Sequence, residues 1–241
     1  MFCLAMVICL GVAFKQRSDK INIWMIGDST MSDYPESRAP LAGWGMPFAS
    51  YFRSGVIVRN EARSGMSTTS FLSEKHWHSF SGKIRKGDFV MIQFGHNDEA
   101  RVENGNHRNT PLNEYKRNLN FFISETREKG AIAILITPVS RMKFDQNGNV
   151  QETHQQYTEA VYQVAKSQKA MLIDLDLESR RLYQKLGPKG TALLFMRINA
   201  GEHPNYPSGK IDNTHFNVYG AKKIAELVLK SIQTQQIPLA K

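Results

Sequence analysis

The chain has 241 residues, 41% of them hydrophobic, which suits one α/β domain with a packed core and excludes bulk disorder. Its 31 Lys and Arg outnumber its 22 Asp and Glu, giving a formal charge of +9. That balance favours anionic partners, but no basic block carries interleaved aromatics, so a nucleic-acid partner is excluded.

The first element is an apolar, uncharged run from Phe2 to Ala13. It is too short for a membrane span of ~20 residues but fits the apolar region of a signal peptide, and Gly11-Val12-Ala13 has the small-x-small form of a cleavage site. The expectation is therefore an exported protein, periplasmic or extracellular, with a signal peptide over 1–13 and one domain over 14–241. Cys3 and Cys9 both lie in the leader. The mature chain would hold no cysteine, so neither disulfides nor Cys-ligated metal would support its fold.

From Ile21 short apolar runs alternate with amphipathic ones. Strands are predicted at Ile21–Ile26, Val56–Asn60, Phe89–Phe94, Ala131–Thr137 and Met171–Asp174, each a short, mostly apolar run like strands buried on both faces. Helices are predicted at Trp44–Phe52, Pro111–Lys129, His154–Ser167, Asp176–Leu186 and Val218 to about Ile232. Thr110 is the expected cap of the second of these, with Gly130 at its exit. Gly187–Asn217, rich in Gly and Pro, reads as irregular. The alternation predicts βαβ units, a parallel sheet with helices on both faces, and ligand loops at the carboxyl ends of the strands.

Three polar segments follow three of these strands: "GDST" at Gly27–Thr30, "NEARSGMSTTSF" from Asn60, and "FGHND" at Phe94–Asp98. A fourth, "DNTHFN", precedes the last helix. A serine hydroxyl needs a hydrogen-bonded base, and that base needs an orienting group. Ser29, His215 and Asp212 are the residue types for those roles, and Asp212 and His215 are three positions apart, so one turn can put the carboxylate beside the imidazole. Acyl transfer also needs donors for the developing oxyanion. The Ser29 and Gly65 backbone N–H groups and the Asn97 amide are the candidates. The G-x-S-x-G elbow of α/β-hydrolases is absent.

These four blocks resemble those of the SGNH (GDSL-like) hydrolases. More narrowly, "GDSTMSDY", "GWG", "QFGHND", "TPVSRMKFDQNG" and "PNYPSGKIDNTHFNVYGA" resemble the rhamnogalacturonan acetylesterases of carbohydrate esterase family 12, over nearly the whole stretch from Ile21 to Ile232. The resemblance implies a three-layer αβα sandwich of flavodoxin-like SGNH type around a five-stranded parallel sheet. It carries the nucleophile onto Ser29, the acid–base pair onto Asp212 and His215, and the oxyanion donors onto Ser29, Gly65 and Asn97. It implies hydrolysis of acetyl esters on the galacturonic acid units of an acetylated polysaccharide, with no metal or organic cofactor and no membrane partner once the leader is removed. No signal in the chain sets an oligomeric state. The alternatives are an esterase of other acetylated sugars, xylan or lipid esters, and a carbohydrate-binding relative without catalysis.

One position departs from the family. Met66 stands where close relatives often have arginine, and Arg63, Arg141 and Lys143 are the cations available to meet a uronate instead. Trp77, Arg141 and His154 are the expected substrate contacts: an indole can stack on a sugar, and the other two can line the cleft. His96 is expected to brace the Asn97 loop. The pair His76 and His78 lacks a third ligand at metal spacing, and Asp145–Asn149 starts like a calcium loop but has Val150 where the sixth position needs glycine and no glutamate at the twelfth, so it reads as a tight turn.

Overall fold

The computed structural model describes residues 20–100 and 109–239. The expected signal peptide at 1–13, with both cysteines, lies outside the described residues. In chain order the strands are β1 (Ile21–Gly27), β2 (Leu41–Ala42), β3 (Val56–Asn60), β4 (Phe89–Gln93), β5 (Ile132–Ile136), β6 (Met171–Ile173), β7 (Phe195–Ile198) and β8 (Lys210–Asn217). The helices are α1 (Gly45–Phe48), α2 (Thr68–Ser73), α3 (His76–Phe80), α4 (Leu112–Glu128), α5 (Gln155–Gln168), α6 (Leu175–Ala192) and α7 (Val218–Thr234).

The five strands expected from the sequence form one sheet in the order β3-β1-β4-β5-β6, parallel throughout. Alternation along each strand feeds two cores. Ile23, Met25, Ile134 and Ile136 face α1, α6 and α7, where Phe48, Tyr183 and Ile224 complete the packing. Trp24, Ile26, Ile92 and Leu135 face α2 to α5, against Phe71, Trp77, Phe122 and Val161. Apolar residues on both sides of each strand therefore produce the three-layer αβα arrangement. Because the strand order reverses between β1 and β4, the loops leaving those two strands diverge and open a crevice at the carboxyl edge of the sheet.

Three local expectations need correction. Thr110 does not cap α4: Pro111 holds the cap position with no side-chain bond, and the Thr110 hydroxyl goes instead to Thr69 Oγ1 at 3.1 Å. The expected helix from Trp44 to Phe52 divides into α1 and a 3-10 turn at Ala49–Tyr51. Gly187–Asn217 is irregular mainly over 199–209. Helix α6 runs on to Ala192 across a break at Gly187 (φ 68°), and β7 and β8 form a second, antiparallel sheet in the order β2-β8-β7.

Candidate active site

The site begins where β1 ends. At Gly27 a Cβ would lie 2.4 Å from the Gln93 carbonyl oxygen, so only glycine lets β1 and β4 finish side by side. Asp28 then turns the chain, its Oδ1 accepting from the Thr30 N–H (2.9 Å) and hydroxyl (2.8 Å). Behind this turn Gln93 donates to Thr30 Oγ1 and accepts from the Trp44 indole, at 2.7 and 2.6 Å. Tyr34 donates its hydroxyl hydrogen to the Ser29 carbonyl at 2.8 Å. Ser29 is thus held from both sides on a turn that is 6% exposed.

His215 and Asp212 come from β8. Phe195 pairs with Phe216, yet Arg197 pairs with Ile211, so Asp212–His215 bulge out of the ladder. Such a bulge re-aims side chains that a regular strand would send to alternate faces. Asp212 Oδ1 accepts from the backbone N–H groups of Thr214 (2.8 Å) and His215 (3.0 Å), while Oδ2 faces His215 Nδ1 at 2.8 Å. The other ring nitrogen, Nε2, lies 3.0 Å from Ser29 Oγ. Burial opposes the charge on Asp212, but its hydrogen bond with His215, that residue's charge and the two backbone donors outweigh it and hold the carboxyl well below the usual carboxylate range. Asp212 is therefore an anion wherever the fold is intact, and it fixes the imidazole with Nε2 toward the serine.

The oxyanion candidates sit on the loops after β3 and β4. Gly65 adopts φ +85°, a left-handed conformation that a side chain would strain. The Arg63 N–H donates to the Gly27 carbonyl at 3.0 Å, tying this loop to the serine turn. Asn97 Nδ2 donates one hydrogen to the Met66 carbonyl at 3.0 Å. Among the described residues the backbone N–H groups of Ser29 and Gly65 donate to nothing. Each of the three candidate donors thus has hydrogen-bonding capacity to spare, and the Asn97–Met66 bond ties the loop after β4 to the loop carrying Gly65.

A buried polar chain links the loops. His96, 5% exposed, meets Asp28 Oδ2 through Nδ1 at 3.3 Å and packs its ring edge-on against His154. Burial and the neighbouring His154 push the His96 imidazole down to about 4, with Asp28 pulling the other way, so His96 is neutral at pH 7 and donates from Nδ1. His154 Nδ1 approaches Glu99 Oε1 at 2.9 Å. The same oxygen accepts from Arg141 Nη2 at 3.0 Å, and Arg141 Nη1 donates to Thr214 Oγ1 at 2.6 Å. The chain runs from the serine turn to the turn bearing the acid–base pair. Met142 adds a backbone bond to the Asn213 carbonyl at 2.8 Å, and Arg197 holds the Asn213 side chain.

The structure brings together Ser29, Asp212 and His215, and sets Gly65 and Asn97 on adjoining loops. It does not bring the three expected substrate contacts to an open cleft. Trp77 is fully buried among Phe80 and Phe122 and has no face for a sugar. His154 is 1% exposed, behind Glu99. Arg141 is partly exposed at 31%, with its guanidinium engaged by Glu99 and Thr214. Met66 packs against the core on the α2–α5 face, and Arg63 lies 3.6 Å from Glu61. Asp145–Asn149 is a tight turn closed on the Asp145 carboxylate. Glu99, Thr214 and Tyr34 were not anticipated. Glu99 and Thr214 make their contacts with residues far away in the chain, and Tyr34 reaches back five positions to a backbone carbonyl, a contact that no residue pattern announces.

Residues 25–223 match the GDSL-like lipase/acylhydrolase family. The chain is 40% identical over 220 residues to the rhamnogalacturonan acetylesterase RhgT of Bacillus subtilis, covering 91% of this chain and 92% of that protein. It is 33% identical to the probable rhamnogalacturonan acetylesterase YesY of the same organism, over 90% of this chain and 95% of that one. Among solved structures, that of B. subtilis YxiM superposes with a TM-score of 0.78 at 28% identity, covering 91% of this chain and 58% of that chain.

Proposed function

The chain belongs to the GDSL-like lipase/acylhydrolase family, and on that premise we propose that it is a serine esterase that removes acetyl groups from rhamnogalacturonan through an acetyl-enzyme intermediate. The observation that carries this reading is the Ser29 Oγ–His215 Nε2 contact of 3.0 Å, backed by Asp212 at 2.8 Å on Nδ1. The likeness to the rhamnogalacturonan acetylesterase RhgT and to YesY, named a probable one, supports the substrate.

Ser29 Oγ attacks the acetyl carbonyl as His215 Nε2 takes its proton, and Asp212 stabilises the imidazolium. The oxyanion of the tetrahedral intermediate is held by the Ser29 and Gly65 N–H groups and the second hydrogen of the Asn97 amide. Collapse breaks the ester bond, and His215 returns the proton to the departing sugar hydroxyl. Water, deprotonated by the same imidazole, then attacks the acetyl-serine, and acetate leaves as Ser29 regains its hydrogen.

The test is acetate release from acetylated rhamnogalacturonan, acetylated xylan and a long-chain ester. Release from the first at the highest kcat/KM is expected; turnover of the last alone overturns the reading. Ser29→Ala should abolish turnover of 4-nitrophenyl acetate, and retained turnover removes the nucleophile. The apolar Phe2–Ala13 run and a polymeric substrate support export. N-terminal sequencing of protein secreted by its host should begin at Phe14; a start at Met1 on cytosolic protein overturns export.

A further inference from the structure

A second concave site lies at the opposite end of the sheet. It is a cavity of about 420 Å³ at the start of β1, lined by Lys20, Arg59, Lys83, Arg85 and Lys86 with Asp88 at its floor. The seven residues of β1, at about 3.3 Å each, put it on the order of 20 Å from the serine turn. All five cations are exposed, and none forms an ion pair among the described residues.

The single carboxylate does not neutralise them. Asp88 Oδ1 accepts from the Asn22 N–H and side-chain amide, and Oδ2 from the Trp24 indole and the Arg85 N–H, all at 3.0 Å. Its acceptor capacity is spent on neutral donors. Arg59 is held in place: its Nε donates to Asn22 Oδ1 at 3.0 Å, and its guanidinium lies 5.1 Å over the Trp24 ring. Both Nη groups are left without a partner among the described residues. A fixed guanidinium fork flanked by flexible lysines suits a row of carboxylates, because the fork orients one anion and the ammonium groups tolerate spacing in the others.

We propose that this cavity is a second binding site for uronate carboxylates, which holds the polymeric substrate away from the catalytic cleft. The proposal rests on the acetylesterase reading, since it takes the ligand to be the polymer being deacetylated. Two rival polyanions fit less well. Nucleic acid binding draws on exposed aromatic faces for base stacking, and the one ring here, Trp24, is 2% exposed. A lipid surface calls for a row of exposed apolar side chains beside the basic ones, and the one aliphatic side chain in the lining, Ile57, is half-buried. Tethering acts through effective concentration, so it raises polymer affinity and leaves the chemical step alone.

The probe is unacetylated polygalacturonate, which binds without being hydrolysed. Affinity electrophoresis should show the protein retarded by it, less so as salt rises. Lys83→Gln/Arg85→Gln/Lys86→Gln should weaken retardation about tenfold and raise KM on acetylated rhamnogalacturonan by a similar factor, with kcat and 4-nitrophenyl acetate turnover unchanged. Ser29→Ala should be retarded like the wild type. Thermal melting confirms folding, and Arg59→Gln alone should weaken retardation measurably. Equal retardation of wild type and the triple variant overturns the site, as does stronger retention by RNA or phosphatidylserine vesicles than by polygalacturonate. Retardation that depends on these residues, in an enzyme releasing no acetate from rhamnogalacturonan, sustains the site and overturns the activity instead.

Discussion

Asp212 divides its two oxygens between two tasks: Oδ1 shapes the turn through two backbone N–H groups, and Oδ2 addresses the imidazole. Asp212→Asn separates these tasks. The asparagine oxygen can keep the turn, but its NH₂ group then faces His215 Nδ1 and favours the tautomer with hydrogen on Nε2, which cannot accept the serine proton. The variant should melt near the wild type while kcat on 4-nitrophenyl acetate falls about 10⁴-fold. A loss within tenfold would show that another group orients the base. Asn97→Ala removes one oxyanion donor and should cost about 10²–10³ in kcat with KM little changed. At this scale the sequence was most legible where chemistry dictates residue type. Ser29, His215 and Asp212, which the structure brings into contact, could be picked out because few other side chains suit a nucleophile, its base and an orienting anion. Arg141 was legible as a residue near the site but not in its geometry, because its partners Glu99 and Thr214 lie 42 and 73 positions away.

At the scale of elements, the bulge in β8 was hidden for a physical reason. Its residues, "KIDNTHFN", are mostly polar, and β7 is too short to announce a hairpin, so the period-2 signal fails where the functional turn interrupts the ladder. Helices α2 and α3 are only six and five residues long, below the length at which periodicity can be read. Arg141 pins the bulge through Thr214, and removing it lets Asp212–His215 drift from the serine. Arg141→Ala should lower kcat on 4-nitrophenyl acetate between about 10- and 100-fold, the usual cost of a misplaced catalytic group. If only KM on the uronate polymer changes, Arg141 contacts substrate and does not position the base. Trp77 makes the opposite case. The sequence allowed a sugar platform, but burial in the core between α3 and α4 assigns it to packing. Trp77→Ala should destabilise the fold by about 3–5 kcal/mol, read from urea denaturation, and leave KM for the polymer unchanged in the folded protein.

For the molecule as a whole, the five strands of the parallel sheet were legible to within one residue at each end, because strands packed between two helical layers are mostly apolar. The polar chain buried behind the site was not, since nothing in a sequence shows which histidines and carboxylates lose their water. Its titration gives the fold two opposed responses to pH. His96 stays neutral in the folded state down to about 4, whereas in the unfolded chain an imidazole takes its proton near 6.5. Between those values the unfolded chain binds more protons, so the His96 contribution is present above about 6.5 and is lost as pH falls toward 4. Asp98 behaves in reverse. Burial pushes it up to about 7 against the opposing hydrogen bonds from Thr68, and its Oδ2 has no partner. It stays protonated when folded while the unfolded carboxyl ionises near 3.9, so its contribution is full at low pH and is lost as pH rises toward 7. The two slopes oppose one another from about pH 4 to 6.5, which flattens the wild-type profile there. Asp98→Asn is close in shape to the protonated acid and removes one slope. Urea denaturation at pH 4.5, 5.5 and 6.5 should then show stability rising with pH more steeply than in the wild type. His96→Gln should tilt the profile the other way, and parallel profiles for all three proteins would mean that neither group is held as its surroundings dictate.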